Sequence, residues 1–301
     1  MTEDKIEILS VELLNQHRSL VNELRVLARR LRLDFGWHYL LDLVWLIQHL
    51  GVDESGRVID AGAGVGLMQW YLAGKGVDVY SVDRGSREDL DLYFRARYKV
   101  SGLRPEDLLS GRTVVGGQLK AAAPLAAKAK RQMRNLASLG KMLLPAEGKG
   151  RVSIYNQDLK TLVDIPDNSV DGVVAVSALE HNTPEGLRQV VTELLRVLKP
   201  GGRLVATLGA AAGKDWFHEP SKGWNYSAAS LREIFQLDAA SPDNYGRHAE
   251  LLQALRDCAE LRDNLAAFYS RSGDNGMPWG KWDPQYIPVG VCKVKTADSG
   301  Q

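Results

Sequence analysis

The fold of this chain is decided by the stretch Arg57-Val58-Ile59-Asp60-Ala61-Gly62-Ala63-Gly64-Val65-Gly66. A short apolar run ends in a carboxylate, and three glycines follow at alternate positions. Apolar residues then recur at helical spacing from Leu67, so the pattern predicts a strand, a tight turn and a helix. Glycine is needed where a backbone turns with positive φ and where a ligand approaches it closely. The amides at the start of the following helix then face that ligand.

A second strand is predicted over residues 77–82, and Asp83 ends it. In a βαβ unit, an acid about 20 residues beyond the first turn accepts hydrogen bonds from a ribose diol. The two segments therefore predict a site for an adenosine-like ligand. The dinucleotide pattern G-x-G-x-x-G would place its third glycine at position 67, which is Leu67, whereas this chain has it at Gly66.

Length and composition limit the class of protein. With 301 residues the chain can bury a substantial core, as one large domain or one domain with additions. Its net charge of +1 provides no global field that would attract nucleic acid. The two cysteines, Cys258 and Cys292, fit no metal or redox spacing, so we expect no metal site and a reducing cytoplasm.

The N-terminal segment indicates neither a signal peptide nor a membrane span. Glu3, Asp4 and Glu7 make the first residues acidic, unlike the basic start of a signal peptide. The most apolar run, residues 39–50, is interrupted by polar side chains and is too short to cross a bilayer. We therefore expect a cytoplasmic protein.

Two helices are predicted before the glycine turn. Over residues 10–31, apolar side chains recur at alternating spacings of three and four, which is typical of one amphipathic face. That face either packs within the chain or forms a seam of a homodimer. The second helix spans residues 37–50 and begins with Trp37 and Tyr39, which are either core aromatics or contacts to a substrate.

Residues 100–150 are predicted to be an insert. A doubly wound fold should reach its third strand soon after the second helix of the pattern, but the next good strand is at residues 151–155. The insert contains a helical segment rich in alanine and basic residues from about 124 to 144, including Lys128, Arg131 and Arg134. Such a helix binds an anionic surface or an acidic substrate, or else is a solvated flap.

The third strand is followed by Asp158 and Leu159, and an apolar strand follows at residues 171–176. Glu180 and His181 come just after that strand, at the edge where open α/β sheets bind ligands. A strongly periodic helix and a further strand follow at residues 184–198 and 203–208. Two last strands are predicted at 266–269 and 288–294, after a loop that carries Trp216, Phe217, His218, Trp224 and Tyr226.

Five motifs occur in an order that resembles class I S-adenosylmethionine-dependent methyltransferases, with a type 11-like domain. They are the D-x-G-x-G-x-G turn at 60–66, the acid Asp83, the pair Asp158-Leu159, the D-x-S-x-D strand within 166–180 and the L-K-P-G-G turn at 198–202. The resemblance spans about residues 57–208 and, more loosely, the closing strands. The long insert departs from the plain family pattern.

The resemblance implies a Rossmann-like, doubly wound α/β fold with a seven-stranded sheet, mostly parallel with one antiparallel C-terminal strand. It implies an N-terminal helical extension or lid at 1–51, a methyltransferase core at 52–99 and 151–301, and the basic helical insert at 100–150. S-adenosyl-L-methionine is the implied cofactor. The residues implied to bind it are Asp60, Gly62, Ala63, Gly64, Gly66, Asp83, Arg84, Asp158, Leu159 and Ser177.

A methyl carried by a sulfonium is already activated, so such an enzyme mainly positions a nucleophile in line with it and excludes water. A general base helps only if the acceptor must lose a proton. Glu180 and His181 are the candidate catalytic residues, with His218 as a further candidate base, and transfer by proximity alone is the alternative. The candidate substrate-binding residues are Trp37, Tyr39, Trp216, His218 and Trp224.

Three functions remain open at this stage. The first is methyl transfer to a small molecule, sugar or biosynthetic intermediate. The second is methyl transfer at a membrane face to a lipid-linked or glycan substrate, with the basic insert as the anionic or membrane-surface contact of a peripheral protein. The third is a non-catalytic module that binds partner proteins. A nucleic-acid substrate is not favoured, because the basic charge is local and no base-methylation motif of the Asn-Pro-Pro-Tyr type follows the fourth strand.

Overall fold

The structure, a computed structural model, describes residues 4–34, 36–120, 125–141, 146, 148–265, 277 and 281–296. The chain alternates strands and helices as predicted. The elements in chain order are β1 (Lys5–Ile8), α1 (Leu13–Gln16), α2 (Arg18–Leu31), α3 (Tyr39–Leu50), β2 (Arg57–Ala61), α4 (Leu67–Gly74), β3 (Asp78–Asp83), α5 (Leu92–Arg95), β4 (Lys99–Gly102), α6 (Gly111–Lys120), α7 (Leu125–Lys141), β5 (Arg151–Asn156), β6 (Val170–Val176), α8 (Pro184–Val197), β7 (Leu198–Ala210), β8 (Trp216–His218), β9 (Gly223–Tyr226), α9 (Ala228–Ile234), α10 (His248–Asp257) and β10 (Ile287–Val294).

The chain divides into two compact units. Unit 1 comprises Met1–Gly51 with Leu159–Gln301, and unit 2 comprises Val52–Asp158. The N-terminal segment thus groups with the C-terminal half. The separate predicted division into a lid, a core and an insert stays a prediction.

Unit 2 contains four parallel strands in the order β2, β3, β5, β4. Its first three strands are those predicted from the glycine turn, the Asp83 segment and residues 151–155. The strand β4 was not predicted, since its four residues carry little apolar signal. The helix α5 begins at Leu92, where the Asp91 side chain accepts the backbone N–H of Tyr93.

The predicted insert helix is confirmed as α7, within unit 2. Its exposed side includes Met133 and Leu136, with 72% and 68% of their surface accessible, whereas Asn135 and Ser138 are buried. The Asn135 amide donates to the Gln118 side chain of α6 at 2.9 Å. The side chains of residues 120–131, which include most of the predicted basic set, lie outside the described part of the structure.

Unit 1 contains strands in the order β1, β10, β7, β6. β6 and β7 run parallel, β10 is antiparallel to both of its neighbours, and the β8–β9 hairpin pairs with the end of β7. The antiparallel C-terminal strand is thus confirmed as β10, and the predicted α/β class is confirmed. The strands β1, β8 and β9 add to the predicted set, and the predicted strand at 266–269 lies outside the described residues.

The N-terminal helices pack inside unit 1. α3 lies against β10 at Gly290, where an added Cβ would come within 2.6 Å of the Trp45 ring. The Trp45 indole N–H donates to Glu7 of β1 at 2.8 Å. α2 buries Leu24, Leu27 and Leu31 of its predicted apolar face. The homodimer seam stays a prediction. In the described part of the chain, no helix has the length and apolarity needed to cross a membrane.

Candidate active site

The glycine turn of unit 2 is built from backbone hydrogen bonds. The N–H groups of Gly62 and Ala63 both donate to the Val82 carbonyl of β3, at 2.9 and 3.0 Å. Gly62 and Gly64 have φ values of +73° and +46°, which favour glycine because a side chain would be strained there. Gly66 then precedes α4 and has no side chain that could cap the first amides of that helix.

Asp83 at the end of β3 is oriented by this turn. One carboxylate oxygen accepts the N–H of Gly64 at 2.8 Å, and the other accepts the N–H of Gly85 at 2.8 Å. The side chain is half-buried. A carboxylate oxygen can accept more than one hydrogen bond, so both oxygens retain capacity for the hydroxyls of a ligand.

Asp60 is buried below the turn and is only partly satisfied. The backbone N–H of Gln69 donates to its carboxyl group, and its Oδ2 atom has no hydrogen-bond partner. Burial raises the pKa of Asp60 to about 7, although the nearby charge of Arg87 opposes that shift. A buried acceptor without a donor is costly, and a cationic donor on a ligand would satisfy it.

A buried network that sequence reasoning missed holds the turn in place. Arg87 donates to the Gly64 carbonyl at 3.1 Å, to the Ser81 carbonyl of β3 at 2.7 Å and to the Tyr155 carbonyl of β5 at 3.1 Å. Gln69 of α4 lies beneath the turn, with its amide nitrogen 3.1 Å from the Gly66 carbonyl, and accepts the Ser81 hydroxyl at 2.7 Å. No motif reveals this role, since it depends on the packing of three elements.

The other residues expected to bind cofactor are distributed as follows. Ala63 lies buried in the turn, whereas Arg84 and Asp158 are exposed and Leu159 is half-buried. The Asp83 carbonyl accepts the N–H of Gln157, next to Asp158, at 2.9 Å. Ser177 lies in unit 1, where it contributes to a different pocket.

Unit 1 contains a pocket of about 420 Å³, including space open to solvent. It combines aromatic faces with titratable groups, which is typical of a small-molecule site. Its lining residues are Gly36, Trp37, His38, Tyr39, Ser177, Glu180, His181, Gly209, Ser221, Gly223, Trp224, Asn225 and Tyr286. Neither lysine nor arginine occurs among these described lining residues.

Glu180 is the buried carboxyl group of this pocket. Ser177, in the left-handed region at φ +45°, donates its hydroxyl to Oε1 of Glu180, while Oε2 has no partner. Only 7% of the Glu180 surface is accessible. Burial raises the pKa of Glu180, and the neighbouring His181 and the Ser177 hydroxyl oppose that shift. The carboxyl group can therefore bind a donor or accept a proton.

His181 lies on the exposed side of the same pocket. Its Nδ1 atom is 3.0 Å from the Lys222 carbonyl, and its ring is solvent-accessible. The structure thus places both predicted catalytic residues at one pocket, with the carboxyl group inside and the imidazole at the surface. Their catalytic roles stay a prediction.

The pocket also contains a His–Asp pair that sequence reasoning missed. His38 Nδ1 lies 2.7 Å from Asp42 Oδ2, one helical turn later, and both side chains are buried. The other ring nitrogen of His38 lies 3.4 Å from the Tyr286 hydroxyl. The i, i+4 spacing at the start of α3 is a signal in the sequence, but spacing alone does not show that the pair borders a cavity.

The predicted substrate-binding aromatics separate into two groups. Trp37, Tyr39 and Trp224 line the pocket. Trp216 and His218 lie on β8 and are absent from the lining set, although the His218 ring is 5.3 Å from that of Tyr286. His218 Nδ1 is 2.8 Å from the Ser221 hydroxyl, and burial lowers the pKa of this histidine. The described residues contain no cluster of side chains able to hold a metal ion.

Residues 110–206 match a family model described as a methyltransferase domain. Over this range, about a third of the chain, the sequence is similar to a methyltransferase domain. The match agrees with the predicted family and enzyme class, for which S-adenosylmethionine is the expected cofactor. It begins just before α6 and ends in β7, so the glycine turn and Asp83 lie outside the matched range.

Several solved structures resemble this methyltransferase, all at low identity. The [4+2]-cyclase SpnF is 17% identical with a TM-score of 0.45, over 87% of this chain and 84% of the cyclase. Phosphoethanolamine N-methyltransferase 2 of Haemonchus contortus is 15% identical with a TM-score of 0.47; 95% of this chain covers only 59% of that protein. A Burkholderia thailandensis 1,6-didemethyltoxoflavin-N1-methyltransferase is 15% identical with a TM-score of 0.42, over 94% and 88% of the chains. No curated protein matches the chain.

Proposed function

We propose that this methyltransferase uses the glycine turn of unit 2 to bind S-adenosyl-L-methionine and the pocket of unit 1 to bind a small-molecule acceptor. The single observation that carries the proposal is the turn itself: two glycines in left-handed conformation, braced by Arg87 and joined by a backbone N–H to the carboxylate of Asp83. When bound, the cofactor supplies an activated methyl group. The residues of the chain bind and orient the cofactor and the acceptor.

The residues of unit 2 fit such a cofactor in charge and in shape. Asp60 offers a buried carboxyl oxygen that lacks a donor, and an ammonium group supplies one. Asp83 is prepared to accept ribose hydroxyls, because the amides of Gly64 and Gly85 fix both of its oxygens. At Gly66 a Cβ would stand 3.0 Å from the Ala63 carbonyl, so a side chain there would displace the turn.

Asp158 and Leu159 are the residues we assign to the adenine end of the cofactor. This assignment rests on the family resemblance and on their position directly after the segment that bonds the Asp83 carbonyl. Arg84 is exposed, and we assign it a contact with the cofactor only at the open side of the site.

The residues of unit 1 fit an acceptor of small size. Trp37, Tyr39 and Trp224 provide apolar faces, and Glu180 and His181 provide polar groups at one pocket. We assign to Glu180 the contact with the acceptor inside the pocket, because it is buried with a free acceptor oxygen. His181 is assigned to the surface end, where it can pass a proton to water.

Turnover is the experiment that tests this function. The full chain is incubated with labelled S-adenosylmethionine and a library of small-molecule acceptors, and transfer of label is measured. We expect transfer to at least one small acceptor, and loss of that transfer with retained cofactor binding in Glu180→Gln. The small-molecule assignment would be overturned if the chain bound S-adenosylmethionine but transferred label to a protein or a vesicle surface and to no small acceptor.

A further inference from the structure

We propose that the acceptor is an amine, bound as its ammonium form by the Glu180 carboxylate and the aromatic faces of the unit 1 pocket, and that His38, oriented by Asp42, removes its proton before methyl transfer. The inference rests on the proposed function and specifies the substrate class of the same site. It goes beyond the predicted catalytic pair, since His38 and Asp42 were not in it.

The charge of the pocket favours a cationic acceptor. Glu180 is buried and its Oε2 atom lacks a donor. The described lining includes no lysine or arginine that could pair with an acidic acceptor. A cationic ligand relieves the cost of burying the carboxylate, because opposite charge favours the ionised form.

The aromatic faces of the pocket also favour a cation. Trp37, Tyr39, Trp224 and Tyr286 all line the pocket. Aromatic rings attract cations through their quadrupole, and the attraction strengthens in a desolvated site. An alcohol could also donate to Glu180, but it gains nothing from these rings beyond apolar contact, whereas an ammonium gains from both.

The ammonium must lose a proton before methyl transfer, because its nitrogen has no lone pair for attack. With Asp42 ionised, His38 donates its Nδ1–H to Asp42 across the 2.7 Å contact, and the other ring nitrogen carries a lone pair. His38 lines the pocket, and this second ring nitrogen lies 3.4 Å from the Tyr286 hydroxyl. This is the arrangement of a general base whose ring is oriented by a carboxylate.

The proton transfer and the methyl transfer conserve atoms and charge. The ammonium transfers one proton to His38, which becomes an imidazolium, and the nitrogen lone pair then forms the new bond to the methyl carbon. The carbon–sulfur bond of the donor breaks, and its electron pair remains on sulfur as a neutral thioether. The methylated product carries the positive charge, and the His38 proton leaves to solvent.

The groups that face His38 determine the pH dependence. They are Asp42 and Tyr39 on its own helix, Glu180 after β6, and Tyr286 before β10. Burial, followed by the charge of Glu180, raises the pKa of both tyrosines, so they stay neutral in the working range. Burial also raises the pKa of Asp42, while His38 opposes that shift. Protonation of Asp42 at low pH removes the acceptor of the His38 Nδ1–H, so activity should fall as pH decreases.

Binding of shape-matched probes tests the substrate class. The full chain, saturated with S-adenosylhomocysteine, is titrated with 2-phenylethylamine, 2-phenylethanol and phenylacetate. We expect the amine to bind about ten-fold or more tighter than the alcohol, and phenylacetate to bind weakest. Glu180→Gln should remove the preference for the amine, and the control Glu185→Gln, at an exposed residue of α8, should keep it. Equal binding of the amine and the alcohol, or no binding of the amine, overturns the proposal.

A pH profile tests His38. His38→Gln should keep binding of the amine and of S-adenosylhomocysteine, but lower methyl transfer to the amine by about 100-fold at pH 7. Its rate should then rise with pH toward the pKa of the free amine, since the substrate must lose its proton to water. Asp42→Asn should show the same profile with a smaller loss. A purely structural role would lower the melting temperature and leave the profile unchanged, and that result overturns the assignment.

Different results would overturn the proposed function and the amine inference. If the wild-type chain does not bind S-adenosylhomocysteine, the proposed function fails. If it binds S-adenosylhomocysteine and methylates 2-phenylethanol in preference to 2-phenylethylamine, only the amine inference fails.

Discussion

The glycine turn of unit 2 and the pocket of unit 1 are built in opposite ways. The turn consists of backbone amides and carbonyls, and buried side chains such as Arg87 and Gln69 satisfy its carbonyl groups. The pocket consists of side chains from four distant segments, and several of its polar atoms have no partner, among them Glu180 Oε2 and the Trp37 indole nitrogen. A turn of the first kind suits one ligand shared by many enzymes, whereas a pocket of the second kind can be altered one side chain at a time.

The largest effect should come from Asp60, a buried and incompletely satisfied carboxyl group beneath the turn. Because burial raises the folded-state pKa of Asp60 to about 7 from 3.8, its ionised form destabilises the fold. Stability linked to this group is fully present below pH 3.8 and is lost as pH rises to about 7. Asp60→Asn should therefore stabilise the ligand-free chain by up to about 4 kcal/mol at pH 8, and little at pH 4.

Denaturant unfolding of both proteins at the two pH values measures this difference. Asp60→Asn should at the same time weaken cofactor binding, because it removes the charged partner of the ligand. A variant destabilised equally at pH 4 and pH 8 would show that Asp60 is an ordinary structural residue and would remove the contrast between the two regions.

Gly64→Val should be the next largest change. A β-branched residue is strained at φ +46°, and the turn would have to move away from Asp83. We expect cofactor affinity to fall by roughly 100-fold or more, about 3 kcal/mol. Gly74→Ala is the matched control, since a Cβ at that position of α4 meets nothing within 4 Å. Calorimetric titration with S-adenosylhomocysteine gives both affinities, and equal values would contradict the assigned role of the turn.

Arg87→Met should separate the support of the turn from the ligand contacts. The variant removes the Arg87 donor from three carbonyl groups, including that of Gly64. We expect a loss of about 2–3 kcal/mol in unfolding free energy, together with weaker cofactor binding. Arg84→Met, at the exposed neighbour, should stay within about 0.5 kcal/mol of the parent in stability. If the two variants unfold alike, Arg87 does not brace the turn.

Asp83→Ala should cost about 1–3 kcal/mol of cofactor binding, the usual loss when donors lose a charged acceptor. The amides of Gly64 and Gly85 also lose their acceptor, so part of the loss comes from a looser turn. Asp83→Asn keeps one acceptor oxygen and should lose less. Affinities measured by equilibrium dialysis check the order, and a folded Asp83→Ala variant with unchanged affinity would contradict the site.

The smallest effect on the cofactor should come from the other region. Trp224→Ala removes an aromatic face of the unit 1 pocket and no atom of the turn. We expect cofactor affinity to change by less than about two-fold, while the KM of the acceptor rises. Steady-state kinetics with each substrate varied in turn distinguishes the two. A large loss of cofactor affinity would mean that the regions do not divide the ligands as proposed.

The turn was readable from the sequence because its parts are local. Three glycines, the acid before them and Asp83 after the next strand lie within one βαβ unit, and each residue type follows from backbone geometry. The antiparallel strand β10 and the insert helix α7 were readable from apolar pattern and composition. The short strands β4 and β8 were not, since three or four residues carry too little periodic signal.

The pocket was only partly readable for a physical reason. Glu180 and His181 could be placed because they follow a buried parallel strand, where ligands bind. Tyr286 and Asn225 reach the same pocket only through the packing of β9 and the segment before β10. The partnership of His38 with Asp42 was hidden in an apolar helix, because the sequence does not show which of its faces borders a cavity.

Calorimetric titration of the wild-type chain with S-adenosylhomocysteine and, separately, with NADH tests whether the glycine turn binds the sulfur cofactor. The third glycine of the turn is Gly66, whereas the dinucleotide pattern would place it at position 67. The N–H of Gly64 donates to the Asp83 carboxylate. We expect micromolar binding of S-adenosylhomocysteine, weakened roughly 100-fold or more by Gly64→Val, and no heat with NADH. Binding of NADH with no response to S-adenosylhomocysteine would contradict it.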